Sequence, residues 1–382
     1  MGRERNILIC EPNCGGHRLN YVRLFAMAAQ RAGADVTLAL PALASETAEF
    51  KHLSEVAGHV KHVVIDGKGR FGVASWLSSQ IRSGLYSNVI VPYADGGLAE
   101  CVTLLEILAI KKSSQRSRVS LLKMRGTFAY EEHGVRRKLQ NFMTLRALSS
   151  SVIHRVYWID IIAFEFLKKH HGALARKSVF LPDPVPQGQM LSCSEAARAL
   201  KLPAECRYIG LLGVIDERKG ADRLIDAFNS AGLPPQWKLL LAGPFSASIR
   251  DKIRAQPADS NRIVAVDRFI EHLELQTFFE ACELVCAPFR QHIGSSTSVI
   301  RAATANRPVL SDSYGWIGEM TKRYQLGSVC DTSIERNLTS AINDFAQKAG
   351  EWAPSQMHQQ FVDLHSEPNF LKILSQDLAE SH

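Results

Sequence analysis

The feature that most restricts this chain is an alternation of short β-rich runs with helix-length amphipathic stretches, interrupted at LPDPVPQGQ and then begun again. Such alternation builds a parallel sheet covered by helices. The first series predicts strands at 6–10, 36–40, 62–65, 88–91, 119–122, 156–158 and 178–181. Between the first two, residues 19–32 read as a helix, with Leu19, Val22, Leu24, Phe25 and Ala28 crowding one side and Gly33 supplying the stop. Three prolines in LPDPVPQGQ resist a helix or central strand. The boundary is therefore set there, with domains at 1–184 and 185–355. The second series predicts strands at 208–214, 237–242, 262–266, 284–287, 308–311 and 328–330, and helices at 221–228, 273–281 and 298–305. The expected fold is α/β, two doubly wound Rossmann-like domains facing a central cleft, with ligands at the carboxyl ends of the strands.

A length of 382 residues suits two such domains, and 46% hydrophobic residues supply their cores. The balance of +7 permits an anionic partner, whether a nucleotide, a lipid head group or nucleic acid. With 8% aromatic residues and no RNA-binding signature, nucleic acid is not expected. Apolar runs fall short of the roughly 20 residues a membrane span needs. The start MGRERNILIC leads from charge straight into a strand, so a cytoplasmic location is expected. Eight cysteines form no C-x-x-C pair, which suits reduced, buried thiols and no metal site.

Three turns carry candidate chemistry. CEPNCGGHRLNYV follows the first strand, where Gly15 and Gly16 let a ligand approach the backbone and His17 stands at the mouth. An ordinary strand-to-helix turn has the same composition. In GLLGVIDERKGADRLIDAF a strand ends near Gly213, and Arg218 and Lys219 bring positive charge to the next helix start, as suits a pyrophosphate. In CAPFRQHIGSSTSVIRAATANRPVLSDSYGWIGEM, Gly294, Ser295, Ser296 and Thr297 open a helix with amides and hydroxyls that can cradle phosphate.

The ordered set resembles the GT-B glycosyltransferases of the retaining family 4, also called group 1. The resemblance is densest over residues 208–330, through GVIDERKGADRLIDAF, LLLAG, DRFIEHLELQTFFEACELVCAP, ANRPVLS and GWIGEM followed by LGSVCD. CGGHRLNYVRLFAMAAQRAGADVTL resembles the family's opening loop and helix, and FLPDPV its interdomain linker. The resemblance implies a nucleotide-sugar donor in the second domain and an acceptor in the first. A terminal helix at about 356–382 would return to the first domain. Lys219 falls on the family's basic contact to the donor diphosphate, joined here by Arg218. Gly213, His292, Gly294, Ser295, Ser296 and Thr297 fall along its phosphate-facing loops. Gly15, Gly16 and His17 match the N-terminal glycine loop, backbone near Phe269 would meet the base, and Glu319 matches an acidic position of the closing turn.

Two departures stand out. The family's paired glutamates, eight residues apart, correspond to Ile293 and Arg301, and its arginine after the glycine at Gly213 is Val214. Gln291 and His292 are the nearest replacements. In the first domain VPYADGGLAE and MRGTFAYEEHG follow strands, so Asp95, Arg125 and His133 are acceptor-side candidates, although an Asp before glycines is ordinarily a turn cap. Arg136, Arg137 and Lys138, and the later Lys168 and Lys169, have apolar neighbours that suit contact with anionic lipid, although such clusters are ordinarily solvated helix faces. The expected function is sugar transfer from a nucleotide-diphosphate sugar to a glycan or lipid-linked acceptor, without metal or other cofactor. The competing reading is a silent homologue that acts as a binding or scaffold subunit.

Overall fold

The computed structural model describes residues 5–16, 18–108, 116–131, 134–188, 190–257 and 261–380. The chain divides into two compact units, residues 1–183 with 368–382, and residues 184–367.

The first unit runs β1 (Asn6–Cys10), α1 (Arg18–Arg31), β2 (Asp35–Leu40), β3 (Lys61–Val64), α2 (Gly69–Ser83), β4 (Asn88–Val91), α3 (Leu98–Leu108), β5 (Arg118–Lys123), α4 (Val135–Ser149), β6 (Ile153–Trp158), α5 (Ile161–His170), α6 (Gly172–Ala175) and β7 (Ser178–Phe180). Its strands lie in the order β3-β2-β1-β4-β5-β6-β7. Every pairing is parallel. A strand buried on both faces alternates between two cores. In β1, Ile7 and Ile9 join the core under α1, whereas Leu8 and Cys10 join the one under α2, α3 and α5.

The second unit runs α7 (Cys193–Ala199), β8 (Arg207–Leu212), α8 (Ala221–Ser230), β9 (Trp237–Ala242), α9 (Ala247–Arg254), β10 (Ile263–Val266), α10 (His272–Ala281), β11 (Cys282–Ala287), α11 (Thr297–Thr304), β12 (Val309–Asp312), α12 (Gly315–Arg323), β13 (Gly327–Cys330), α13 (Glu335–Gln347) and α14 (Gln356–Leu364). Its strands lie in the order β10-β9-β8-β11-β12-β13, again all parallel.

Each strand expected from the sequence is present, with ends displaced by up to three residues. β8 stops at Leu212 rather than running on to Val214, because Gly213 turns the chain with φ +92°.

The terminal segment corrects the expectation of one returning helix over 356–382. It is two helices, α14 and then α15 (Glu367–Glu380). The break has a local cause. Val185 of the proline-rich linker forms a β-bridge with Ser366, and its amide donates to the His365 carbonyl at 2.9 Å. Pro368 then sits in the first turn of α15, where a missing amide hydrogen costs no helical bond. α14 stays with the second unit, and α15 belongs to the first. There Phe370, Leu371, Leu374 and Leu378 enter the α1 core, Phe25 meets Phe370 edge-on at 6.2 Å, and Tyr157 donates to Asp377 at 2.8 Å.

Candidate nucleotide-sugar site

Both sheets reverse the direction in which strands are added, at β1/β4 and at β8/β11. In open α/β sheets the crevice at the carboxyl ends of such a pair is where ligands settle. The side chains just past β1 and β8 therefore matter most.

In the second unit, the turn after β8 is brought to the loop after β11 by one backbone and one side-chain hydrogen bond. The Arg290 amide donates to the Arg218 carbonyl at 3.0 Å, and Arg223 donates to the Pro288 carbonyl at 3.0 Å. Gly220 makes this approach possible: its φ is +72°, and a Cβ there would stand 2.3 Å from the Pro288 carbonyl oxygen. Lys219 lies between these segments. Its Nζ donates to the Leu212 carbonyl at the very end of β8, at 3.1 Å, and sits 5.2 Å from the Phe289 ring centroid. A Cβ on Gly213 would come within 2.9 Å of the same nitrogen, so the absence of a side chain there leaves the ammonium its place. Burial, with the neighbouring Arg218 charge second, pushes the Lys219 pKa down to about 8, against which Asp216 works weakly. Among the described residues no carboxylate lies within ion-pair distance of Lys219.

Contacts continue from Lys219 to the next phosphate-facing candidates. Phe289 meets the His292 ring at 5.5 Å, and His292 Nε2 lies 3.0 Å from the Ser295 carbonyl oxygen. Gly294 takes φ +87°. Ser296, the N-cap of α11, is buried, and its hydroxyl makes no capping bond to the helix it precedes. Lys219, Gly213, His292, Gly294, Ser295, Ser296 and Thr297 are thus one neighbourhood, the carboxyl edge of β8 and β11. A cation and a set of helix-start amides on one edge suit a diphosphate.

Other sequence candidates sit elsewhere. Arg218 is exposed and lies 3.5 Å from Asp216. Arg301 is buried on α11 and reaches α10, donating to the His272 carbonyl at 3.2 Å and to Gln276 Oε1 at 3.1 Å. That residue clamps two helices together. Phe269 is exposed on the loop after β10. Glu319 is exposed on α12 and pairs with Arg323 at 3.0 Å.

In the first unit the acid is the surprise. Glu11, directly after β1, is fully buried. Its Oε1 accepts from the Asn13 amide at 3.1 Å and from Arg18 at 3.1 Å, while Oε2 has no hydrogen-bond partner among the described residues. Burial pushes its pKa up to about 7 despite the opposing Arg18 charge. The Arg18 guanidinium carbon in turn lies over Tyr93 of the β4 loop, 3.9 Å from the ring centroid. Asn13 Oδ1 then accepts from the Gly15 amide at 2.9 Å, and Gly16 follows at φ +69°, so the glycine turn is built on Glu11. The sequence reading missed this residue. The available signal was a carboxylate placed straight after four buried strand residues.

Asp95, expected to meet an acceptor, forms an ion pair with the buried Lys123 at 3.0 Å and takes the Met124 amide at 3.4 Å. It ties the β4 loop to the end of β5. Arg125 is exposed just beyond. Asp160, also missed, caps α5 and accepts from the Tyr130 hydroxyl at 2.9 Å, with burial raising its pKa to about 6. His17 and His133 lie outside the described residues. Among the described residues no group of three or more His, Cys, Asp or Glu is arranged to hold a metal ion. No described helix is long and apolar enough to cross a membrane.

Comparison with known proteins follows this geometry. Residues 206–348 match the family model of glycosyl transferases group 1. The lipopolysaccharide core biosynthesis mannosyltransferase LpsB of Rhizobium meliloti (strain 1021) is 26% identical over 136 residues, covering 33% of this chain and 37% of that protein. The chain thus aligns with little more than a third of that relative's length. Among solved structures, HepE of Anabaena in complex with UDP and glucose superposes with TM-score 0.72 at 15% identity, covering 99% of this chain and all of that one. Sucrose-phosphate synthase from Thermosynechococcus elongatus superposes with TM-score 0.73 at 16% identity, covering 98% of each chain. At such identities the superpositions establish the fold, while the matched segment carries β8, Lys219, β11 and α11 within it. The second unit therefore holds a glycosyl transferases group 1 domain, in a chain of the GT-B glycosyltransferase fold.

Proposed function

We propose that this chain transfers a sugar from a nucleoside-diphosphate sugar to a hydroxyl of a glycan or lipid-linked acceptor, in polysaccharide or glycoconjugate biosynthesis. The observation that carries the reading is Lys219. A half-buried ammonium at the carboxyl end of β8, with no carboxylate among the described residues paired to it, is a charge in search of an anion. The diphosphate would take that place, with the amides and hydroxyls of Ser295, Ser296 and Thr297 as further donors. Transfer breaks the bond between the anomeric carbon and the diphosphate oxygen and forms one to the acceptor oxygen, whose proton is lost. Negative charge builds on the departing diphosphate, and fixed donors aimed at it lower the barrier. We assign His17 to the reacting sugar from its place after Gly15 and Gly16. We further propose retention of anomeric configuration and no requirement for a metal, since Lys219 and the α11 amides supply the positive field.

HepE was solved with UDP, and the same ligand class is the first probe here. At a hundred times its dissociation constant a ligand adds about 2.7 kcal/mol to stability. A melting-temperature screen against UDP, GDP, ADP and dTDP is expected to single out one nucleotide. The matching nucleotide sugar, given an acceptor, should release that nucleotide. Silence from all four would overturn the donor site. A melting shift without turnover, across a panel of acceptors, would leave a nucleotide-binding scaffold in place of a transferase.

A further inference from the structure

The helix α4 turns a run of apolar side chains to solvent. Its sequence, VRRKLQNFMTLRALS, contains four basic residues and no acidic one. A solvated helix turns its charges outward and its apolar residues inward. Here Asn141, Ala147 and Leu148 face the core, while Val135, Leu139, Phe142 and Met143 are 83%, 58%, 61% and 53% exposed. Their spacing is not random. At 3.6 residues per turn these four fall within an arc of about 100°. Arg136 borders the arc on one side and Lys138 on the other, and Arg146 continues the same face toward the C-terminus.

The neighbouring helix widens the surface. Thr144 of α4 donates to Glu100 of α3 at 2.6 Å. Leu104 and Ile107, one and two turns further along the same stripe of α3 as Glu100, are also exposed. Six large apolar side chains thus stand in solvent beside three flanking cations.

We propose that the outer face of α4, with the adjoining edge of α3, docks on a bilayer surface that carries anionic lipid. Val135, Leu139, Phe142 and Met143 enter the boundary between head groups and acyl chains, and Arg136, Lys138 and Arg146 reach lipid phosphates, their stems lying along the apolar arc. A second copy of the chain is the poorer occupant. Two-fold pairing through this face would bring the same cations together with no carboxylate on α4 to meet them. A bilayer supplies what both halves of the pattern lack, apolar depth and negative charge. The inference goes beyond the transfer reading and stands without it.

The test is cosedimentation of the full chain with vesicles of phosphatidylcholine alone, or mixed equally with phosphatidylglycerol. Binding is expected on the mixed vesicles, weak on phosphatidylcholine, and reduced by added salt. The double variant L139S/F142S should lower partitioning tenfold or more. R136Q/K138Q should lower it about fivefold for each residue, the equivalent of about 1 kcal/mol apiece. Because all four positions are exposed, both variants should keep the wild-type circular dichroism and melting temperature, which separates lost docking from lost folding. The proposal is overturned if wild type ignores both vesicle types, or if the variants partition as wild type does. A concentration-dependent dimer that L139S/F142S dissolves would also overturn it, by giving the face to a second copy.

Discussion

The turns after β1 and β8 occupy the same place in their sheets and hold opposite charges. β8 ends on a cation, with Lys219 bonded to the Leu212 carbonyl and, among the described residues, no carboxylate paired to it. β1 ends on an acid, with Glu11 bonded to Arg18 and to the amide of Asn13. Both groups are forced toward neutrality by burial, Lys219 down to about 8 and Glu11 up to about 7. The difference lies in how each is compensated. Glu11 has its counter-ion built in and supports a glycine turn. Lys219 has a carbonyl and an aromatic ring in contact and, among the described residues, no carboxylate within ion-pair distance, which leaves its charge available to a ligand. One fold element, used twice, yields an internally paired turn in one unit and a cation without a paired carboxylate among the described residues in the other.

The sharpest way to break this comparison is Lys219→Ala. If the ammonium stabilises the leaving diphosphate, kcat/KM should fall by about 100- to 1,000-fold, as when one preorganised donor is lost elsewhere. Nucleotide affinity should drop together with it, and steady-state kinetics with a nucleotide titration would separate the two. A fall smaller than tenfold would deny Lys219 its special place.

Next in size is Gly213→Ala. Its φ of +92° and the 2.9 Å gap to Lys219 Nζ mean that a methyl group both strains the turn and displaces the ammonium. Nucleotide affinity should fall about tenfold, the equivalent of about 1.4 kcal/mol. Calorimetry should show the loss while the sheet, followed by circular dichroism, stays intact.

The pH response differs between the two ends. Diphosphate binding favours the charged lysine, so affinity should weaken as pH rises through about 8 in the wild type. The acid end should speak through stability instead. Between about 4.5 and 7 the folded chain keeps a proton on Glu11 that the unfolded chain has released, so stability contributed by this group falls as pH rises across that window. Glu11→Gln should flatten that slope in melting experiments and change nucleotide affinity little. An equal loss of affinity in Glu11→Gln would erase the distinction between the two ends.

Smallest of all should be Arg218→Gln. The guanidinium is exposed and lies at the limit of ion-pair distance from Asp216. Exposed pairs contribute about 1 kcal/mol or less, so binding should change fivefold at most.

How much of this was legible beforehand follows from what a sequence encodes locally. The strands were legible because a strand buried on both faces is a short apolar run between breakers, and β4, NVIV, needs nothing else to be recognised. The nearness of Lys219 to the Gly294 to Thr297 segment was legible because both fall at carboxyl ends of two such runs. Asp95 was read as an acceptor contact, since its partner Lys123 stands 28 residues further along. Arg301 was read with the donor site, and the structure commits it to α10. The terminal helix was read as continuous, since the bridge from Val185 that interrupts it is formed by the distant linker.

The amino-acid order alone thus determined where strands and helices lie, how they divide into two series, and which turns are rich enough in glycine, hydroxyls and cations to receive an anion. Those are properties of neighbours in the chain. Only the tertiary structure decided which charges are already paired, that Glu11 is sealed away beneath its turn, and that α4 leaves an apolar arc in solvent. Burial depends on residues brought together from distant parts of the chain, and pairs such as Asp95 and Lys123 form across tens of positions, so no local pattern carries that information.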